Sequence, residues 1–133
     1  MSKETKNNEE RVSPYSDKEL EYFREIILKK RDEAERDLSL LMDALKESTE
    51  NSSDESAYSF HMADAGTDAQ EREKTYMLYN RTRKFIKYLD DAIERINRKT
   101  YGVCKVTGKK ISKGRLEAVP HTQISIEAKL KRR

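Results

Sequence analysis

The feature that most constrains this chain is a pair of apolar seams at helical spacing. Leu20, Phe23, Ile27, Ala34, Leu38, Leu41 and Leu45 are separated by 3, 4, 7, 4, 3 and 4 residues, with one place near Lys30 and Arg31 left polar. A second run, Leu78, Thr82, Phe85, Leu89, Ala92 and Ile96, has separations of 4, 3, 4, 3 and 4. Such spacings gather the side chains on one narrow stripe of an α-helix, and the stripe needs a second helix against it. Two seams of similar length, with one polar connection and no third seam, predict a mainly α fold. Its body is an antiparallel coiled-coil hairpin over residues 15–99 with the tip at about 58–68. Each arm of roughly 33 residues would extend about 50 Å at 1.5 Å per residue, and Phe85 faces the first helix in this register.

The ends of the helices carry their own signals. Ser16 followed by Glu19 is a capping box: the hydroxyl accepts from the backbone N–H at the third helical position, and the carboxylate reaches back to the cap. Ser48 to Asp54 is expected to interrupt the first seam, and Thr67 with Gln70 repeats the capping-box pattern after Gly66. The stretch from Thr49 to Gly66 is long for a tight connection. It holds extra helical turns around Tyr58 and Phe60, or the caps lie nearer the tip. Residues 1–14 are polar without a period and are expected to form a disordered arm.

Composition narrows the functional classes. Of 133 residues, 40% are charged and 35% hydrophobic, with no Trp, so the thick core of a catalytic α/β fold is hard to build. His61 and His121 belong to different regions, Cys104 has no evident His partner, and no phosphate-cradling Gly-rich loop is present. Asp90–Asp91 reads as a solvated pair. An enzyme is not expected. A single cysteine excludes an internal disulfide, the polar start resembles no signal peptide, and the longest apolar run, Tyr76 to Tyr79, cannot span a bilayer. A soluble, cytoplasmic protein is expected. Charge is polarised: Ser16 to Ala57 carries 7 Lys/Arg against 13 Asp/Glu, whereas Thr100 to Arg133 carries 9 against 2. Such a molecule suits a charged partner, most directly a nucleic acid or a nucleic-acid machine.

After Thr100 the texture changes. Gly102, Gly108 and Gly114 punctuate short turns or strands, and a short amphipathic basic run from Ile124 to Leu130 closes a module over residues 100–133. Its expected core is Val103, Val106, Ile111, Leu116, Val119, Ile124 and Ile126, with Cys104 packed as a small apolar residue.

This module resembles the DksA/TraR family of bacterial transcription regulators. The residues that carry the likeness are Tyr101-Gly102-Val103-Cys104-Lys105-Val106-Thr107-Gly108, Arg115-Leu116-Glu117-Ala118-Val119-Pro120 and Ile124-Ser125-Ile126-Glu127-Ala128-Lys129. In the family these frames hold Cys-x-x-Cys, Arg-Leu-Glu-Ala-x-Pro and Cys-x-x-Cys-Lys, a four-cysteine zinc finger beside a coiled-coil hairpin. His61 to Ala69 resembles the hairpin tip of one branch. At the four metal positions stand Cys104, Thr107, Ser125 and Ala128, and His121 reads as a surface residue, so a degenerate finger is expected with no cofactor and no zinc.

The resemblance implies insertion of the coiled coil into the secondary channel of RNA polymerase, with the acidic tip near the catalytic magnesium. Asp64 falls on the functional tip aspartate, His61 where a second tip aspartate is common, and Gly66 where alanine is usual; Asp68 lies close by. Arg81 and Lys129 fall on positions that contact guanosine tetraphosphate in some members, and Tyr88 stands where those members carry another lysine. Two other readings remain open. The hairpin could dimerise or scaffold another protein. Alternatively, Lys105, Lys109, Lys110, Lys113, Arg115 and Lys131 to Arg133 could bind nucleic acid directly, a reading weakened by the lack of interleaved aromatics.

Overall fold

Ser16 and Glu19 form the capping box that their spacing predicts. The Glu19 amide donates to Ser16 Oγ at 3.2 Å and the Ser16 amide to Glu19 Oε1 at 3.1 Å, satisfying two N–H groups that open the helix. These bonds hold the Glu19 carboxyl below its ordinary range. The structure, a computed structural model, describes residues 13–52 and 65–131, with side chains over 13–47 and 69–131. Helix α1 covers Asp17–Ser52. It continues through Ser48 and Thr49, where an interruption is expected from the sequence. Each polar residue there is only a few tenths of a kcal/mol less favourable than Ala, and extending a helix is far easier than nucleating one.

Helix α2 covers Ala65–Asn97. It begins two residues before Thr67, so Thr67 lies inside the helix and the Thr67–Gln70 pattern does not mark its start. Lys99 ends it by taking φ of 63°. The Thr100 amide donates to Arg95 O at 2.9 Å and the Lys99 amide to Ile96 O at 3.1 Å, which closes carbonyls the helix leaves open. The turn is tied to the start of α1: Lys99 Nζ lies 2.6 Å from Asp17 Oδ1, and the Ser13 amide donates to Lys99 O at 3.0 Å.

The chain divides into two compact units, one of residues up to 31 together with those from 87 onward, the other of residues 32–86. The polar gap in the first seam falls at this division. In the first unit Leu20, Phe23 and Ile27 of α1 and Leu89, Ala92 and Ile96 of α2 are all buried, as their spacing predicts. Phe23 is the centre of an aromatic cluster, with the rings of Tyr15, Tyr22 and Tyr101 at 5.2, 5.4 and 5.4 Å. Arg31 Nε pairs with Asp90 Oδ1 at 2.5 Å, and Arg24 hydrogen-bonds Asn97.

The second unit corrects the second seam. Ala34 is buried and Leu38, Leu41 and Leu45 are half-buried on α1. On α2, however, Leu78 is 47% exposed, while Thr75, Tyr79, Thr82, Phe85 and Ile86 are half-buried. The half-buried positions run Thr75, Tyr79, Thr82, then Phe85 with Ile86, to the buried Leu89, so Thr82 and Phe85 keep the places that their spacing predicts and Tyr79 replaces Leu78. Tyr79 can take the place of leucine because tyrosine pairs an apolar ring with a polar tip, and the Arg83 guanidinium lies 5.8 Å from its centroid.

The C-terminal module contains two short helices, α3 over Lys113–Ala118 and α4 over Ile126–Lys131. Among the described residues the expected strands reduce to a single bridge between Val103 and Lys110. The interior holds Tyr101, Cys104, Ile111, Leu116, Pro120 and Ala128. Val103, Val119 and Ile124 are half-buried, and Val106 and Ile126, expected in the core, are exposed. Val106 sits in a turn closed by the Gly108 amide on Cys104 O at 2.8 Å, and Ile126 opens α4, so neither points inward. Two buried tyrosines span the module's backbone: Tyr15 donates its hydroxyl to Ile111 O, and Tyr101 donates to Pro120 O at 2.7 Å. Gly102 is needed for this packing. Its φ is 87°, and a Cβ there would stand 2.7 Å from two ring carbons of Tyr15.

Candidate functional site

The module's four family-matched metal positions form its centre. Cys104 is fully buried and free. Its sulfur accepts from the Ser125 amide at 3.4 Å. The Thr107 hydroxyl is the largest influence pulling its thiol down to about 6, against burial, with further help from the Ser125 and Thr107 groups. Ser125 also acts as a helix cap: the Ala128 amide donates to Ser125 Oγ at 3.2 Å, at the start of α4. Thr107 Oγ1 takes the Lys109 amide at 3.2 Å. Ala128 contributes a buried methyl. The donor set is therefore one thiol, two neutral hydroxyls and no fourth heteroatom. Zinc sites are built from thiolate, imidazole and carboxylate, and hydroxyls are weak ligands. Among the described residues no group of three or more His, Cys, Asp or Glu is placed to hold a metal ion. These residues do not fit a four-thiolate centre.

His121 is not the surface residue expected from its position after Pro120. It is half-buried, stacked on Tyr88 with ring centroids 5.9 Å apart and planes at 6°. Its carbonyl accepts from Arg95 Nη2 at 3.2 Å. Burial, and then the charges of Arg95, Lys30 and Arg115, push the imidazole below its ordinary value. Below about pH 6.5 the unfolded chain therefore binds a proton that the native protein resists, so stability is lost as pH falls through that value. Melting temperature measured from pH 7.5 to 5.5 is expected to fall less for His121→Phe, which keeps a ring against Tyr88, than for the wild type. Equal slopes would show that His121 does not carry this term, since Cys104 titrates in both proteins.

Several of the module's cations are already engaged. Lys110 Nζ lies 4.7 Å from the Tyr15 centroid and Lys113 Nζ 5.1 Å from that of Tyr22, whose hydroxyl binds Glu117. Arg115 Nε donates to Ile124 O at 2.9 Å and its Nη2 to Thr122 Oγ1 at 3.4 Å. These three were candidates for direct nucleic-acid contact; each instead has an intramolecular partner. Of the tyrosines involved in the packing, Tyr15 and Tyr101 have a sequence signal only as aromatics bordering the cap at Ser16 and the turn at Gly102.

Of the residues assigned to the tip, His61 and Asp64 lie outside the described residues. Asp68 falls in the first turn of α2. Arg81, on α2 in the unit of residues 32–86, and Lys129, on α4 in the other unit, are both exposed. No helix among the described residues is long and apolar enough to cross a membrane.

Residues 99–132 match the model of the prokaryotic dksA/traR C4-type zinc finger. The chain is 33% identical over 113 residues to the RNA polymerase-binding transcription factor DksA of Caulobacter vibrioides, covering 85% of this chain and 75% of that protein. It is 37% identical over 68 residues to general stress protein 16O of Bacillus subtilis, covering 51% of this chain and 42% of that one. The solved structure of transcription factor DksA2 from Pseudomonas aeruginosa superposes with a TM-score of 0.73 at 30% identity, covering 85% of this chain and 81% of that one. The first of these matches corrects the expectation that the module has no cofactor. The matched family is a C4-type zinc finger, which points to zinc binding. The likeness is carried by the turn glycines and the Arg115 to Pro120 frame, which shape the module whichever residues occupy the ligand positions.

Proposed function

The chain belongs to the DksA/TraR family, and from that membership we propose that it is a cytoplasmic transcription regulator, not an enzyme, that binds RNA polymerase. The observation that carries the reading is the match along both long helices and the module to a protein named for that binding. The paired helices enter the secondary channel, and the connection between α1 and α2 stands near the active site. Asp64 is its acting charge, with His61 and Asp68 as neighbours. Arg81 and Lys129 are contacts for guanosine tetraphosphate. Both residues present their charge to solvent. Tyr88, at the position where some family members carry another lysine, is stacked on His121 and carries no charge.

The test is direct. Purified protein is expected to co-elute with the RNA polymerase of its own organism and to be displaced by a known secondary-channel factor. Absence of co-elution, or binding that such a factor leaves untouched, would favour a scaffold.

A further inference from the structure

The unit of residues 32–86 leaves a mixed face open beside its packed stripe. The stripe consists of Ala34, Leu38, Leu41 and Leu45 on α1 and Thr75, Tyr79, Thr82 and Ile86 on α2, all buried or half-buried. The residue before each of these belongs to a second row: Glu33, Asp37, Leu40 and Ala44 on α1, and Lys74, Leu78, Arg81 and Phe85 on α2. One residue is a step of about 100° around a helix. Stepping back by one on two antiparallel right-handed helices brings both rows to the same side of the pair. In these rows Leu40 and Leu78 are 67% and 47% exposed. Glu33, Asp37, Lys74 and Arg81 are exposed as well, and among the described residues none of the four forms an ion pair.

The sign of the charge changes from one helix to the other. From 32 to 47 α1 carries six carboxylates against two cations, and from 71 to 86 α2 carries five cations against two carboxylates. A nucleic acid, anionic throughout, complements only the α2 side. A second copy of the chain complements both, because a two-fold axis parallel to the helices sets α1 of each copy against α2 of the other. Read in opposite directions, the two rows bring Asp37 level with Arg81 and Leu40 level with Leu78. We propose that this face binds a second copy of the chain in an antiparallel four-helix arrangement, with Leu40 and Leu78 at its centre and Asp37 paired with Arg81 across it. The aliphatic groups exclude water and the charges fix the register. Two short rows make a small interface, so a dissociation constant on the order of 10 μM is expected, and at about 1 μM the chain is a monomer with the rows open to water. The dimer covers the helices assigned above to the polymerase channel, so self-association holds part of the protein back from polymerase. That consequence, unlike the dimer itself, rests on the polymerase reading.

Sedimentation equilibrium of the full chain from about 1 to 300 μM reads the dimer with no polymerase present, so its failure leaves the polymerase reading standing. The wild type is expected to dimerise over this range. Asp37→Arg and Arg81→Asp should each weaken dimerisation by about tenfold or more, since each sets like charges opposite one another at two places. An equimolar mixture of the two variants should recover it. In the mixed pair the new cation at position 37 of one chain faces the new carboxylate at position 81 of the other, and the native pair forms on the opposite side. Both positions are exposed, so melting temperatures should stay near that of the wild type; if either reversal melts early, Asp37→Asn and Arg81→Gln take their place, each weakening the dimer by about threefold or more. A wild type that stays monomeric up to about 300 μM, single variants that dimerise as it does, or a mixture no tighter than its components would each overturn the dimer. A monomeric wild type whose duplex-DNA affinity is lost in Arg81→Asp would overturn it in favour of a nucleic acid.

Discussion

Asp64→Asn is expected to abolish the effect on transcription from sensitive promoters while leaving polymerase affinity within roughly tenfold of the wild type, about 1.4 kcal/mol. The exchange keeps shape and hydrogen-bonding capacity and removes one negative charge. In a narrow protein channel near a metal ion, a single charge acts through a low effective dielectric, so its removal weighs far more than at a solvated surface. On the proposed reading the rest of the chain supplies most of the affinity, and one residue of the connection is a small part of it. In vitro transcription paired with an equilibrium binding measurement separates the two effects. Full regulatory activity in the variant would mean that the protein works by occupying the channel. A parallel loss of binding would mean that Asp64 is a docking contact.

Phe23→Ala is expected to destabilise the protein by about 3 to 5 kcal/mol, a large share of the roughly 5 to 15 kcal/mol by which a typical domain is stable. Phe23 has no exposed surface and is packed by Tyr15, Tyr22 and Tyr101. Truncation opens a cavity where α1, the turn after α2 and the module meet within one unit. It also removes edge and tilted ring contacts, each adding about 0.5 to 1.5 kcal/mol beyond area burial. Leu40→Ala is the control: Leu40 is 67% exposed, and the change should lie within about 0.5 kcal/mol of neutral apart from helix propensity. Chemical denaturation of the three proteins checks both. A loss below about 1 kcal/mol for Phe23→Ala would mean that the aromatic cluster is not the centre of the unit.

Much of the architecture is legible in residue spacing, because a helix turns a linear period into a face. Leu20, Phe23, Ile27, Leu89, Ala92 and Ile96 are buried as their separations predict, and the Ser16–Glu19 box opens α1 as its pattern predicts. The frames around Cys104 and from Arg115 to Pro120 carried the family likeness, which the matching model and relatives then established. The choice between Leu78 and Tyr79 was not legible. Adjacent residues lie about 100° apart on a helix, and only the partner helix determines which of two apolar neighbours turns inward. Hydrophobicity revealed only part of what fills the module: Cys104, Ile111 and Leu116 are buried as expected, but the rest is not as expected. Val106 and Ile126 lie outside, while Tyr15, Tyr101 and Ala128 lie within, because hydroxyl-to-carbonyl bonds and tight turns outweigh side-chain polarity in so small an interior. His121 makes the same point: its place after a proline suggests the surface, yet Tyr88 and Arg95 of α2 enclose it. Local period and capping chemistry act between residues a few positions apart and so can be read along the chain. Packing among α1, α2 and the module joins residues as far apart as Tyr15 and Ile111, and only the tertiary structure brings them together.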